Sequence, residues 1–534
     1  MSEGFGSPVY PGWINVAEVL VDDNVVKGFG DKVAYYQLDL GGNLISNITY
    51  SQLKDLTNKF ASSLISMGLR EGEVVLNIMP DIIENIVAFL GTLKMGGISA
   101  LINFKLTVDD YVKASRLVRA RMIVTDCDHL NMALKVKDEV DSVWKIIVTQ
   151  LPGKACQGIS GNDVLTFDDF LKQGTTNFNS ARTHKDDFAF FLFSSGTTGE
   201  PKAVLHKHAD ILYIADTLGK YVLKITDKDL IFSTSKTFFA YGFGYIVAFP
   251  LRFGASVLLY PDLIRPELAL NVISRYKPTV FASSPVFYRA MALVPNTKEY
   301  DLSSIRLASS AGEILTKSVY DLFYEKFGIK IMNCYGSTET LHCFITTQPG
   351  RKPGSAGLPV PGYELKIVDP ETGVEIKEPN KQGVLWVRGY SVAWMYYRNF
   401  EKSVESFCGG WFNTGDIVYR DEDGDFWYVS RADDMIKQGG VWISPYEVEN
   451  ALMQHPAVAE AAVAGYRDED GLFHAKAFII LKPGYEPSDK LRDEIREFLR
   501  EKLAHYKVPH YIEFVKELPK TTTGKVLRRL LRNY

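Results

Sequence analysis

The sequence predicts an α/β protein: a large N-terminal domain of helix-covered, mostly parallel sheets plus a β subdomain, then a small, mobile α+β C-terminal domain. Three observations predict it. Between about residues 50 and 305, short β-rich runs alternate with runs of helical spacing, the pattern of parallel strands joined by crossover helices. Past Pro353 the runs become strand-like and are separated by the turn dipeptides Thr372-Gly373, Gln382-Gly383 and Asp423-Gly424. From Asp433 onward, helix and strand patterns make up a unit of about a hundred residues, an ordinary domain size.

In the alternating region, residues 74–78 read as a buried strand and 82–95 repeat apolar residues at helical spacing. Strands at 99–102, 122–125 and 145–148 and a helix at 109–120 continue the pattern. Residues 188–193 are an unbroken apolar run that ends in a Ser/Gly/Thr cluster, and a second alternating block spans 230–305. In the β region, 364–368, 384–388 and 426–430 are strand-like. Ser444, Pro445 and Glu447 read as a capping box with proline at the first helical position, opening a helix to about Met453. Strands near 457–464 and 476–481 follow. An amphipathic helix over 488–504 then carries Leu491, Ile495, Phe498, Leu499 and Leu503 on one face, and a strand closes at 511–515. The domains expected are 1–432, with sheet subdomains at about 1–180 and 181–352 and a β subdomain at about 353–432, and 433–534.

Composition narrows the function. With 60 Lys+Arg against 64 Asp+Glu, the net charge of −4 is too balanced for a chain that wraps nucleic acid or coats an anionic membrane. The 46% hydrophobic and 23% charged fractions exclude disorder. The five cysteines form no CxxC pair, which points to free thiols in a reducing compartment. The first residues do not form a secretory signal. The apolar run 238–251 is too short to span a bilayer and reads as buried strand or pocket wall. A cytoplasmic enzyme without a membrane span is expected.

Four segments can carry chemistry. Ser194, Ser195, Gly196, Thr197, Thr198, Gly199 and Lys202 follow a buried strand. Glycines let a backbone approach a ligand, hydroxyls and N–H groups donate to phosphate, and the lysine adds charge. This is not a Walker A loop, because Pro201 precedes the lysine and 203–205 looks like strand; a hairpin-like loop over phosphates is the alternative. Asn333, Tyr335, Gly336, Thr338 and Glu339 combine an aromatic that can stack on a base with a carboxylate that can hold Mg²⁺. Asp416, at what reads as a tight turn, can accept ribose hydroxyls. Lys525, after Gly524, is a plausible mobile cation. Taken singly, each segment is as easily a turn or a solvated tail.

Together, and in this order from about Tyr50 to Arg529, the segments resemble the adenylate-forming (acyl-CoA synthetase, AMP-binding) superfamily, and most closely benzoate–CoA ligases. The resemblance implies that the 194–202 loop holds ATP phosphates, with Thr198 catalytic. It implies that Ala311, Gly312, Glu313, Asn333, Tyr335 and Gly336 line the nucleotide, that Asp416, Tyr428 and Arg431 serve the ribose end, and that Thr338 and Glu339 serve phosphate and Mg²⁺. Asp433 matches the family hinge. Lys525 matches a lysine that enters the site for adenylation. Lys437, Gly439 and Gly440 match the face that meets coenzyme A after domain rotation. Ala203 and Ser430 stand where the family usually has glycine.

The implied reaction joins a carboxylate to the α-phosphorus of ATP, releasing pyrophosphate; a thiol then takes the acyl group and AMP leaves. Two anions must meet, so positioning and charge neutralisation matter more than acid/base chemistry. By resemblance the acyl pocket is lined by Phe239, Ala240, Tyr241, Gly242, Gly336 and His342. Aromatic walls over small residues suit benzoate or a related ring, and a short or medium-chain fatty acid stays open. No carboxylate lies at 239–241 to pair with an amino-acid ammonium, and only nine residues follow Lys525. Free CoA is therefore favoured over a separate carrier protein as acceptor. The partners expected are the acid, ATP and CoA, with no nucleic acid, and the chain admits a homodimer.

Overall fold

The structure is a computed structural model and describes residues 8–151, 156, 163–195, 201–348, 351–438, 441–467, 473–520 and 526–531. Its contacts gather into two compact units, residues 1–365 with 387–413, and residues 366–386 with 414–534.

Two sheets organise the first unit. One runs Val164–Thr166, Lys145–Thr149, Ala120–Asp126, Val74–Ile78, Ile98–Leu101, Phe188–Ser195, Pro201–Lys207. Every neighbouring pair in it is parallel except the last. Val74–Ile78 is buried at every residue, which is why it reads as a continuous apolar run rather than an alternating one. The other sheet runs Leu358–Pro359, Cys343–Thr346, Ile331–Gly336, Leu307–Ser310, Val280–Ser283, Leu230–Ser233, Ser256–Leu259, Val33–Leu38, Leu44–Thr49. Its centre is parallel and both ends are antiparallel. The expected α/β architecture is present, and the sheets interleave in sequence: the hairpin 33–49 joins the second sheet, and the strands at 188–207 complete the first.

The second unit holds a three-stranded sheet in which Val458–Arg467 is antiparallel to Phe473–Leu481, and the latter is parallel to Tyr511–Phe514. Helix Asp489–Lys502 buries Leu491, Ile495 and Leu499 against it, and Phe498 packs edge-on to His455 at 5.0 Å. Helix Pro445–Leu452 opens as expected, with the Ser444 hydroxyl accepting from the Glu447 N–H. The reciprocal half of the capping box is replaced: the Glu447 carboxylate takes Lys507 Nζ at 2.6 and 2.7 Å instead.

Three expectations are corrected. The 238–251 run is helical rather than strand: Ala240–Phe243, a π turn at Gly244–Ala248 and Phe249–Phe253 succeed one another, with Pro250 at the start of the last and left-handed Gly254 ending it. Asp416 is not in a turn; it lies within the strand Trp411–Arg420, where Gly415 at φ +69° bends the backbone. Cys127 and Cys156 form a disulfide, leaving Cys334, Cys343 and Cys408 free. No local motif signals that pair, because sheet register makes it. Asp126 pairs with Thr149, so the residues beyond the two strand ends meet, and both sulfurs lie against the Thr149 carbonyl oxygen. Among the described residues no helix is long and apolar enough to cross a membrane.

Candidate active site

The strands on either side of the Ser/Gly/Thr cluster are antiparallel. Ser194 pairs with Lys202 and Ser195 with Pro201 across Phe188–Ser195 and Pro201–Lys207, so the lysine stands on a strand, as its lack of Walker A spacing implies. Gly196, Thr197, Thr198 and Gly199 lie outside the described residues. Lys202 Nζ sits 5.0 Å from the centre of the Tyr396 ring, and Val204 bridges Tyr396.

The nucleotide candidates collect where parallel strands of the nine-stranded sheet end, the usual ligand position in such sheets. Leu307–Ser310 leads into Ala311, Gly312 and Glu313, and Ser310 pairs with Asn333 on the adjacent strand. Gly312 has φ +91°, and a side chain added there would meet nothing within 4 Å among the described residues, so this backbone borders open space. Asn333 is buried and donates to the Ser355 carbonyl at 2.8 Å, while Tyr335 packs edge-on to Phe344 at 5.2 Å.

Thr338 and Glu339 follow in a single 3₁₀ turn that ends at Leu341, a buried residue with φ +66°. A leucine in this region costs about 1–2 kcal/mol and persists only where its surroundings hold it. The turn places Glu339 and His342, three residues apart, against different partners. Glu339 Oε1 accepts the Tyr396 hydroxyl at 2.8 Å, and its carbonyl accepts the Ala393 N–H at 2.8 Å. The Thr338 carbonyl lies 2.9 Å from His206 Nε2, whose other nitrogen is 3.3 Å from Asp210. A single carboxylate with lone pairs to spare suits Mg²⁺, which is ordinarily shared between one or two carboxylates and substrate phosphates.

The structure separates the aromatic residues of the acyl segment. Phe238 is core, packed on Phe104 at 5.8 Å, whereas Phe239 and Tyr241 are half-buried. The Tyr241 hydroxyl donates to Ser309 Oγ at 2.9 Å. Gly336 is exposed, and a Cβ there would stand 2.4 Å from the His342 carbonyl oxygen. His342 is buried with its ring 5.5 Å from Tyr241, 5.7 Å from Tyr245 and 4.9 Å from Phe249. Its Nε2 faces the Tyr241 carbonyl at 3.2 Å. A carbonyl can only accept, so Nε2 carries the proton and Nδ1 is a buried acceptor with no hydrogen-bond partner among the described residues.

Burial pushes the His342 pKa down to about 3, with the Tyr241 carbonyl opposing that shift. The unfolded chain therefore binds this proton between about pH 6.5 and pH 3 while the folded chain does not. Stability should be full above pH 6.5 and fall as pH drops through that window, by about 1.4 kcal/mol per unit from this group. Denaturant unfolding of His342→Gln between pH 4 and 7 should show a correspondingly shallower loss; an unchanged slope would contradict a buried neutral imidazole.

Gly244 reserves the space of that ring. A Cβ at 244 would lie 2.3 Å from His342 Cδ2 and 2.5 Å from Nε2. With His342 read as lining the acyl pocket, Gly244→Ala should displace the imidazole and lower kcat/KM for the acid on the order of 10- to 100-fold, the scale of an ångström-sized misplacement. The KM for ATP should not change; steady-state kinetics with each substrate varied decides this.

In the second unit, Asp416 and Arg431 face each other across paired strands, with Nη1 3.0 Å from Oδ1. Arg431 also donates to the Thr414 carbonyl at 2.6 Å and lies 3.4 Å from Asp433. Burial opposes its charge, but Asp416 and Asp433 alongside keep its pKa above the usual guanidinium value. Tyr428 shares this neighbourhood, its pKa raised by burial and by Asp416. The backbone of Lys437 pairs with Trp442 in a two-stranded ribbon. Gly439, Gly440 and Lys525 lie outside the described residues.

Sequence reasoning missed Tyr396, His206 and Ser309. Tyr396 meets Glu339 across 57 residues of chain, and nothing local to it signals that contact. The four-residue spacing of His206 and Asp210, close after Lys202, is the one signal the sequence carries.

The AMP-binding enzyme family matches residues 22–397, and the AMP-binding enzyme C-terminal domain matches 447–525. A benzoate–CoA ligase of Thauera aromatica is 37% identical over 521 residues, covering 97% of this chain and 96% of that protein. The crystal structure of an anthranilate CoA ligase in complex with anthranoyl-AMP superposes with a TM-score of 0.89 at 37% identity, covering 98% of each chain. A benzoate CoA ligase from Burkholderia xenovorans LB400 gives 0.86 at 34% identity, covering 97% of this chain and all of that one. With both domain families matched in order along one chain, the protein belongs to the AMP-binding enzyme family and is an AMP-forming acyl-CoA ligase.

Proposed function

We propose that the acid is aromatic: benzoate or a close derivative is joined to AMP with release of pyrophosphate, and CoA then takes the acyl group as AMP leaves. The observation that carries this reading is the acyl wall. Phe239 and Tyr241 stay half-open while the rings behind them are packed and fixed, with Tyr241 tied to Ser309 and His342 set between Tyr241 and Phe249. A rigid wall of rings favours a flat ring over a flexible chain, which would lose rotamer freedom there. Likeness to ligases of benzoate and anthranilate supports the same reading.

In this reading Lys202 and the 194–199 segment take the phosphates, Ala311 to Glu313 with Tyr335 and Gly336 border the adenine, and Asp416 and Arg431 take the ribose hydroxyls. Glu339 would hold Mg²⁺, which when bound would offset the charge of the departing pyrophosphate. Tyr396 and His206 hold Glu339 and the Thr338 carbonyl in place, so the carboxylate needs little reorganisation when the phosphates arrive. The acid is already ionised as nucleophile, so no general base is required. Asp433 is the hinge, Lys525 the adenylation cation, and Lys437 with Gly439 and Gly440 the face that receives CoA.

Pyrophosphate release with ATP and a panel of benzoate, hydroxybenzoates, anthranilate, phenylacetate and short and medium-chain fatty acids tests this, with and without CoA. The highest kcat/KM should fall among the benzoates, with full turnover only when CoA is present. A fatty acid at the head of the ranking would overturn the aromatic assignment. Turnover only with a carrier protein bearing a free thiol would overturn CoA as acceptor.

A further inference from the structure

The acyl wall is anchored by a charge pair buried behind it. The side chains of Lys236 and Asp81 are each 2% exposed, with Lys236 Nζ 3.6 Å from Asp81 Oδ2. Lys236 Nζ donates to the Tyr260 carbonyl at 2.7 Å. Asp81 Oδ1 accepts from both the N–H and the hydroxyl of the next residue, Thr237, at 3.1 and 2.6 Å. Asn85 donates to the Pro80 carbonyl at 3.1 Å and reaches the Thr237 hydroxyl at 3.4 Å, which braces the turn holding Asp81.

The pair joins two elements that are remote in sequence. Asp81 stands in the turn between strand Val74–Ile78 of the seven-stranded sheet and helix Ile83–Lys94. Lys236 and Thr237 follow strand Leu230–Ser233 of the nine-stranded sheet and lead directly into Phe239 and Tyr241. The Lys236 carbonyl accepts from the Phe239 N–H at 3.0 Å, and a Cβ at Gly242 would stand 2.2 Å from that oxygen. With contacts this close, a shift at Lys236 must pass to residues 239–242. A buried ion pair is a weak source of stability, because an apolar pair of similar volume packs as well without the desolvation cost. Its geometric constraint is therefore what it adds here. Burial pulls the Lys236 pKa down, and Asp81 with Asp262 opposes that shift.

We propose that Asp81 and Lys236 are positioning residues that set the acyl wall, and through it the fit and selectivity for the acid. The proposal rests on reading 239–242 and His342 as the acyl pocket. Both side chains are buried behind the wall and act through Thr237 and the Lys236 backbone.

The test uses Asp81→Asn, Lys236→Met, the double variant and the milder Thr237→Val, which keeps both charges and the fold. The varied substrate is whichever acid the wild-type enzyme turns over fastest, so failure of the aromatic assignment appears in the wild-type panel and not in the variants. In Asp81→Asn and Lys236→Met, kcat/KM for that acid should fall on the order of 10- to 100-fold, the scale of an ångström-sized misplacement. The KM for ATP should stay within about twofold, and the ratio of kcat/KM between two acids of the panel should change. The double variant leaves no orphaned charge, so it should melt closer to wild type than either single variant while still showing the altered ratio. Thr237→Val should shift the ratio in the same direction by a smaller factor. Folded variants with wild-type acid ratios, or equal losses toward ATP and acid, would overturn the proposal. If the single variants fail to fold, the double variant and Thr237→Val decide it alone.

Discussion

Replacing Lys525 with alanine should slow formation of the acyl-adenylate on the order of 10²–10³-fold, the usual loss when one preorganised charge at a developing anion is removed. The reason lies in the first half-reaction. A carboxylate must approach a phosphate that already carries negative charge, and in a site that excludes water the repulsion is strong. A cation between them lowers that barrier without any change of bond. The second half-reaction brings a thiol to an acyl carbonyl that is already activated by AMP, and it makes no such demand. ATP–pyrophosphate exchange should therefore collapse in Lys525→Ala, while CoA consumption with supplied acyl-AMP continues near the wild-type rate. Equal losses in the two assays would defeat a step-specific role for this lysine.

Glu339→Gln should have an effect of similar size, on the order of 10²-fold on adenylation, with a raised Mg²⁺ requirement. The substitution is informative because of what it leaves intact. Glu339 accepts the Tyr396 hydroxyl through one oxygen, and a glutamine carbonyl can accept the same bond. The Ala393 N–H continues to bind the backbone carbonyl. Position is kept and charge is removed, so the melting temperature should hardly move. Titrating Mg²⁺ in the exchange assay separates the outcomes. A wild-type rate at wild-type Mg²⁺ would mean that this carboxylate does not serve the metal.

Much of the architecture is legible in the sequence because its strands are buried on both faces. A segment such as Val74–Ile78 can then be read without knowing its partners. The hairpin after residue 188 was likewise readable, since proline before Lys202 and strand-like residues after it forbid a phosphate loop that opens a helix. The 238–251 run was harder. Short apolar stretches do not distinguish strand from buried helix, and here Gly244 and a π turn mask the helical period. Gly415 gives the Asp416 segment a turn signal, but register with Arg431 makes Asp416 part of a strand.

By itself, the sequence determined the class of chemistry, through the Ser/Gly/Thr cluster with Lys202, the Tyr335 and Glu339 pair, Asp416 and the late Lys525, in one order along one chain. Each is a local signal, written within a few residues by backbone demands and side-chain charge. Only the tertiary structure decided which groups support them. The clasp of Tyr396 on Glu339, the hold of His206 on Thr338, the Asp81–Lys236 pair and the Cys127–Cys156 disulfide all join residues remote in sequence. Such contacts depend on strand register and on how sheets and helices pack. No local pattern encodes them, because side chains that are distant in sequence become neighbours only after the core has closed.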